Sequence, residues 1–188
     1  MAIPADIANA LRGAWRLAHF DPSGVAFFGH DERAFWRSFI AALIAFPAFL
    51  LFLPLGSDAD AASTDWVRVL LVETIAYVIG WTAFPLVVLP VTRFLGREAR
   101  WLDFVIVYNW SQALQYGLIL AVVLLSLSGL EPAFLQGGLL YLAYVAVFAY
   151  EGFVVRTVLD ISWPAAGMIV LIDLLLGRLI SLTAESLH

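Results

Sequence analysis

Long apolar stretches alternate with short polar connections along almost the whole chain. A helix that crosses a bilayer needs about 20 mostly apolar residues, and five segments meet that requirement. The predicted spans are Ser38–Leu55, Trp66–Val91, Phe104–Leu127, Ala133–Val155 and Trp163–Leu182. The pattern therefore predicts an all-α, polytopic membrane protein, a bundle of five transmembrane helices.

The segment before the first span has a different pattern. Residues 1–37 are predicted to form a cytoplasmic interfacial segment, and residues 38–188 the transmembrane domain. An amphipathic helix is expected from about Pro4 to Phe20. One apolar face has helical spacing, with two arginines beside it: Ile7, Leu11, Trp15 and Ala18, then Arg12 and Arg16. Such a helix either binds the membrane surface or a partner, or anchors itself on its own bundle.

The arginines are distributed unequally between the two sides of the predicted bundle. Eight fall on the side of the N-terminus: Arg12, Arg16, Arg33, Arg37, Arg93, Arg97, Arg100 and Arg156. Only Arg68 and Arg178 fall on the other side. Since arginine and lysine accumulate in cytoplasmic loops, the N-terminus is predicted to be cytoplasmic and, after five crossings, the C-terminus periplasmic. The cluster of Arg93, Arg97 and Arg100 is either this topology signal or a site for anionic lipids.

Composition supports a membrane location and excludes several kinds of site. Of the 188 residues, 63% are hydrophobic and 13% charged, too few charges to cover a soluble domain. The absence of lysine, with abundant Ala and Leu, is typical of a GC-rich bacterial genome, so the expected location is a bacterial inner membrane. A net charge of −5 offers no footprint for nucleic acid.

Candidates for catalysis or metal binding are scarce. Without cysteine there is no thiolate metal site and no cysteine nucleophile. The three histidines lie outside the spans, and His30-Asp31-Glu32 lacks the spacing of a helical zinc site. We therefore expect no enzyme, no cofactor and no bound metal.

Polar residues inside the predicted spans form the main candidate site. Because charges in hydrocarbon are costly, such side chains should face the interior of the bundle. The candidates are Glu73, Tyr108, Asn109, Gln112, Gln115, Tyr144, Glu151, Asp173 and Arg178. Glu73 and Arg178 are predicted to form an ion pair near the outer surface. The set either lines a polar pocket or proton path around Asp173, or satisfies itself and fixes helix register.

The third predicted span opens with an aromatic and polar sequence, FVIVYNWSQALQY, from Phe104 to Tyr116. Together with five closely spaced spans after a cytoplasmic segment, it resembles the YIP (Ypt-interacting-protein) superfamily. That resemblance implies a non-enzymatic adaptor or scaffold that binds other membrane proteins or itself, or organises the bilayer. The expected lipid or partner surface comprises Leu11, Arg12, Trp15, Arg16, Arg93, Arg97 and Arg100. The alternative is a small transporter, or an ion or proton channel, that uses the polar groups around Asp173.

Overall fold

The computed structural model describes residues 3–56, 65–130 and 138–187, and within these ranges the chain folds into helices and turns without a strand. The helices are α1 (Ile3–Ala18), α2 (Glu32–Ser38), α3 (Ile40–Gly56), α4 (Trp66–Phe94), α5 (Trp101–Leu127), α6 (Leu139–Leu159) and α7 (Trp163–Glu185). Five helical segments are long and apolar enough to cross a membrane. The chain is an integral membrane protein, and the predicted fold class is confirmed.

The predicted spans and the observed helices agree to within a few residues at most ends. The fifth span is the clearest case, because the Ser162 side chain accepts a hydrogen bond from Ala165 N at 3.4 Å and Pro164 lies in the first turn. The helix of the third predicted span, α5, starts earlier than predicted, at Trp101, after a short 3₁₀ helix at Glu98–Arg100. The predicted start of the fourth span, Ala133, lies outside the described residues, and α6 begins at Leu139.

Helix α5 is the centre of the bundle. It packs against α6, α3, α2 and α1, and more loosely against α4, while α7 packs between α4 and α6. The first half of α5, from Phe104 to Ser111, is buried on every side because α1 and α2 cover what other helices leave open. The backbones of α4 and α5 come close at only a few points, so a space remains between these two helices. Helices α6 and α7 border this space.

Two proline-containing helices receive side-chain hydrogen bonds from neighbouring helices. Prolines lack the N–H that closes a helical turn, so they loosen the backbone ladder around them. The Tyr77 hydroxyl on α4 donates to Ala42 O on α3 at 2.6 Å, five residues before Pro47. The Trp101 indole donates to Pro85 O on α4 at 2.9 Å, five residues before Pro90. These bonds give carbonyls near the loosened turns a partner in place of water.

Helix α1 docks on the bundle through a face different from the predicted one. Ala10, Ala14 and Leu17 are buried against α5 and α6, and the Tyr150 hydroxyl donates to Ala14 O at 3.0 Å. The predicted face therefore needs correction: Ile7, Leu11 and Ala18 are partly buried at its border, whereas Trp15 is 59% exposed. The physical reason is that small residues let helices approach closely, so alanines occupy the contact and the large indole lies outside it.

Candidate functional site

A cavity of about 540 Å³ lies between α4, α5, α6 and α7, with Phe49 of α3 at its edge. The structure brings eight of the nine predicted polar residues to its wall: Glu73, Tyr108, Gln112, Gln115, Tyr144, Glu151, Asp173 and Arg178. They come from four consecutive helices, α4 to α7. Asp173 is ten residues after the start of α7 at Trp163, or about 15 Å along the axis, so the cavity lies at the depth of the membrane middle.

Three helices meet at Asp173. The Tyr108 hydroxyl on α5 donates to Asp173 Oδ2 at 2.8 Å. Glu151 on α6 lies on the same cavity wall, close enough to Asp173 for the two carboxyl groups to interact. Glu151 and Asp173 therefore form a pair of neighbouring buried acids.

Two buried polar atoms of the cavity wall have no hydrogen-bond partner among the described residues. They are Glu151 Oε1 and Gln115 Nε2, on side chains that are only 4% and 6% exposed. Buried polar groups in native proteins are nearly always bonded, and an unmade bond costs free energy. Gln115 belongs to α5 and Glu151 to α6, the two helices that form one side of the cavity.

Arg178, which the sequence predicts to pair with Glu73, forms an ion pair on its own helix. Arg178 Nη1 lies 3.2 Å from Glu185 Oε1, seven residues further along α7. Seven residues make two helical turns, so these side chains share a face of the helix and meet easily. Glu73 faces the same cavity from α4.

Asn109 is the one predicted polar residue that does not reach the cavity. Its Nδ2 donates to Ser38 Oγ at 2.8 Å, and the buried pair joins α5 to α2. Asn109 follows Tyr108 directly, so it points to another side of the helix, towards the N-terminal segment. The sequence could not reveal this partner, because nothing marks Ser38 as different from other serines.

Aromatic side chains form much of the remaining cavity wall. Tyr108 and Tyr144 were predicted as site residues, and the other five aromatic residues of the wall were not. They are Phe49, Tyr77, Trp81, Tyr116 and Phe148. A signal existed in the spacing, because Tyr77 and Trp81 follow Glu73 by one and two helical turns. Aromatic residues are so common in this chain that the spacing did not distinguish them.

The arginine cluster at the α4–α5 connection binds protein groups. Arg97 Nε donates to Asp160 O at 3.0 Å, and Arg100 Nη2 lies 3.6 Å from the Asp160 carboxylate. Arg93 pairs with Glu98 at 2.7 Å. The two arginines tie the α4–α5 connection to the α6–α7 connection, which places both at the same end of the bundle.

The exposed face of α1 carries most of the remaining residues of the predicted surface. Leu11, Arg12, Trp15 and Arg16 line a shallow groove there with Phe27. The Arg16 guanidinium is held by Asp21 at 2.7 Å and lies over the Phe27 ring at 5.4 Å. This face combines cationic and aromatic groups, a composition suited to lipid headgroups.

Potential metal ligands are not gathered in the part of the chain that the structure describes, where no group of three such residues occurs. His30 contacts Asp103 instead, with Nδ1 2.9 Å from Oδ1, and thereby joins the loop before α2 to the first turn of α5.

No protein-family model, curated protein or solved structure matches the chain. Its function must therefore be inferred from the site itself.

Proposed function

We propose that this chain is a small transport protein that moves protons or other monovalent cations across the membrane through the cavity around Asp173. The observation that carries the proposal is the pair of neighbouring acids Asp173 and Glu151 on the wall of a cavity of about 540 Å³, with the Tyr108 hydroxyl donating to Asp173. Acids at this depth are costly and are rare unless they have a function.

The charges around the cavity favour cations over anions. Three carboxyl side chains line it among the described residues, those of Glu73, Glu151 and Asp173. The guanidinium of Arg178 also reaches the wall, but it is paired with Glu185. In a low-dielectric site such an excess of carboxyl groups attracts positive charge, as rings of acidic residues do in cation channels.

The packing on one side of the cavity favours a carrier over an open channel. Phe84 and Phe104 are fully buried between Tyr108 and the arginine-rich end of the bundle, with ring centroids 4.6 Å and 5.7 Å from that of Tyr108. They close the route from Asp173 towards that end. A cation that crosses therefore needs a rearrangement of α4 against α5 in an alternating-access cycle.

The proposed setting is a bacterial inner membrane, with the N-terminus in the cytoplasm and the C-terminus in the periplasm. The arginine bias supports this orientation. It agrees with the cross-tie of Arg97 and Arg100 to Asp160, which gathers two connections with arginines at one end of the bundle.

An adaptor or scaffold is the second candidate function, and the exposed face of α1 favours it. Trp15 lies open beside Arg12 and Arg16, where a lipid surface or a membrane partner has access. The resemblance to the YIP superfamily points the same way. The support is weaker than for transport, because α1 uses its small-residue face to pack on its own bundle and offers only the opposite face to a partner.

Flux through reconstituted vesicles tests the proposal. Vesicles containing the full chain and an internal pH dye receive a potassium diffusion potential, and the fluxes of sodium, potassium and radiolabelled tetraethylammonium are followed separately. Asp173→Asn should abolish cation flux without lowering the thermal midpoint, because the amide removes the exchangeable proton and keeps the side-chain shape. Asp103→Asn, an acid outside the cavity, should transport like wild type.

Two results would contradict the transport proposal. Wild-type vesicles could conduct none of these cations faster than empty vesicles, or Asp173→Asn could conduct as well as wild type. If Trp15→Ala and Arg12→Ala then abolished capture of anionic lipid vesicles or of a second copy of the chain, the adaptor would become the better candidate.

A further inference from the structure

We infer that the substrate of this cavity is an organic cation, a monovalent ammonium or phosphonium ion held between aromatic rings and the Glu151–Asp173 pair. The inference deepens the proposed function and rests on it for the transport step. The aromatic rings, the volume and the carboxyl groups of the cavity indicate the chemical class of the bound molecule, the guest.

The aromatic rings of the wall form two groups that face the cavity. On one side the ring centroids of Phe49 and Tyr77 lie 4.5 Å apart. The rings of Trp81 and Tyr116 stack there, with centroids 6.4 Å apart and an interplanar angle of 23°. On the other side Tyr144 stacks on Phe148 at 6.4 Å with the same angle. The faces of such rings carry negative potential and attract cations, and cages of this kind bind quaternary ammonium groups.

The size of the cavity matches an organic guest better than a metal ion. Pockets for organic ligands measure roughly 300–1,000 Å³, and this cavity measures about 540 Å³. A bare metal cation needs several oxygen ligands at about 2 to 2.6 Å, whereas much of this wall is aromatic carbon. Weakly hydrated organic cations lose little on leaving water and gain from the rings, so they fit the wall better.

The carboxyl groups of the wall set the sign of the charge that the guest carries. Glu151 and Asp173 lie close together on the wall, and the Tyr108 hydroxyl donates to Asp173 Oδ2 at 2.8 Å. The guanidinium of Arg178 also reaches the wall, but it is paired with Glu185. Acidic groups in a low-dielectric site attract a cation and disfavour an anion.

Equilibrium binding of radiolabelled tetraphenylphosphonium to the purified full chain in detergent tests the inference. Tetraphenylborate, an anion of the same shape, is the matched control ligand. Wild type should bind the phosphonium saturably, one per chain, and should not bind the borate. Asp173→Asn and Glu151→Gln should weaken binding about tenfold or more, because each removes a carboxyl group from the cavity wall.

Substitutions of Phe148 separate the aromatic contribution from simple hydrophobicity. Phe148→Leu should weaken binding about threefold to thirtyfold, and Phe148→Tyr should retain it, because tyrosine keeps a ring face for the cation. Phe94→Leu is the matched control, since Phe94 is 90% exposed at the end of α4 and lies outside the cavity. Thermal midpoints of all variants establish that they are folded.

The outcomes distinguish this inference from the proposed function. Flux of protons or metal cations that depends on Asp173, without phosphonium binding, overturns the inference and leaves the transport function standing. Saturable phosphonium binding without any flux supports the site and contradicts transport. Equal uptake of tetraphenylborate, or phosphonium binding that no cavity variant weakens, means that the probe dissolves in the micelle, and this too overturns the inference.

Discussion

The polar residues of this protein differ in where they lie relative to the cavity. Asn109 donates to Ser38 Oγ, and the Tyr150 hydroxyl donates to Ala14 O and accepts from the Ser111 hydroxyl, so these side chains join helices away from the cavity. Tyr108 instead donates to Asp173 on the cavity wall, where Glu151 and Gln115 also lie.

Asp21 provides a test at the residue scale outside the membrane spans. The Ser23 hydroxyl donates to Asp21 Oδ1 at 2.6 Å and Arg16 Nε donates to Oδ2 at 2.7 Å, and these bonds lower the pKa of the Asp21 carboxyl from 3.8 to about 2. A lowered pKa in the folded state stabilises the protein above the unfolded value of about 3.9, and this contribution is lost as the pH falls towards 2. Ser23→Ala should raise the pKa of Asp21 towards 3.8.

The measurement is an NMR titration of the Asp21 carboxyl carbon in the detergent-solubilised protein. Ser128→Ala is the control, because that hydroxyl bonds to Leu125 O at the far end of α5 and should leave the pKa of Asp21 unchanged. An Asp21 pKa that is the same with and without the Ser23 hydroxyl would show that this hydrogen bond is not its cause.

At the scale of elements, α1 and the 3₁₀ helix at Pro22–Phe27 meet through two glycines. A Cβ atom placed on Gly24 would lie 2.6 Å from Gly13 O, and one placed on Gly13 would lie 2.8 Å from Gly24 O. Neither backbone oxygen can move without shifting its helix. The close contact lets Leu17 and Phe28 become buried with the rest of the bundle, so the fold of the N-terminal segment depends on it.

Gly24→Ala should therefore destabilise the docked N-terminal segment. Overpacking of a tight contact costs about 1–3 kcal/mol, which should lower the thermal midpoint and expose α1 to limited proteolysis. Gly167→Ala is the matched control: a Cβ there meets nothing within 4 Å, and alanine favours the α7 helix. Equal stability of the Gly24 and Gly167 variants would mean that α1 and the 3₁₀ helix can separate without cost.

At the scale of the whole molecule, the two ends of the bundle differ in chemistry. One end holds Arg97 and Arg100 tied to Asp160, with the Arg156 guanidinium over the Trp163 ring at 5.1 Å. The end where α7 finishes holds Arg178 paired with Glu185. Because arginine accumulates on the cytoplasmic side of membrane proteins, the arginines at the first end favour the orientation proposed above, and the Trp163 ring is placed as expected at a membrane interface.

Because the sequence lacks cysteine, single cysteines can report this topology. Glu98→Cys, between α4 and α5, should react with a membrane-impermeant maleimide only after the cytoplasmic side is opened. Ser186→Cys, after α7, should react in intact spheroplasts. Three helices separate these positions, so labelling from the same side would mean that α5, α6 or α7 does not cross. Reversed labelling would overturn the orientation alone.

Hydropathy and the cost of burying charge were enough to predict the five spans, the fold class and most of the polar residues that line the cavity. A lipid-embedded helix satisfies its own backbone, so its existence depends on about 20 local residues and can be read from hydropathy. The cost of a charge in hydrocarbon likewise forces Glu151 and Asp173 inward whatever the details of packing. That is why eight of the nine predicted polar residues meet at one cavity.

The tertiary structure alone decided which partner each side chain has. Partner choice depends on the rotation of each helix and on the distances between helices, and hydropathy leaves both free because lipid is as apolar as the side chains it contacts. Arg178 therefore pairs with Glu185 and Asn109 with Ser38, and α1 docks through its alanines. For the same reason the sequence did not predict which aromatic residues line the cavity around Asp173, because those residues meet only when four helices pack together.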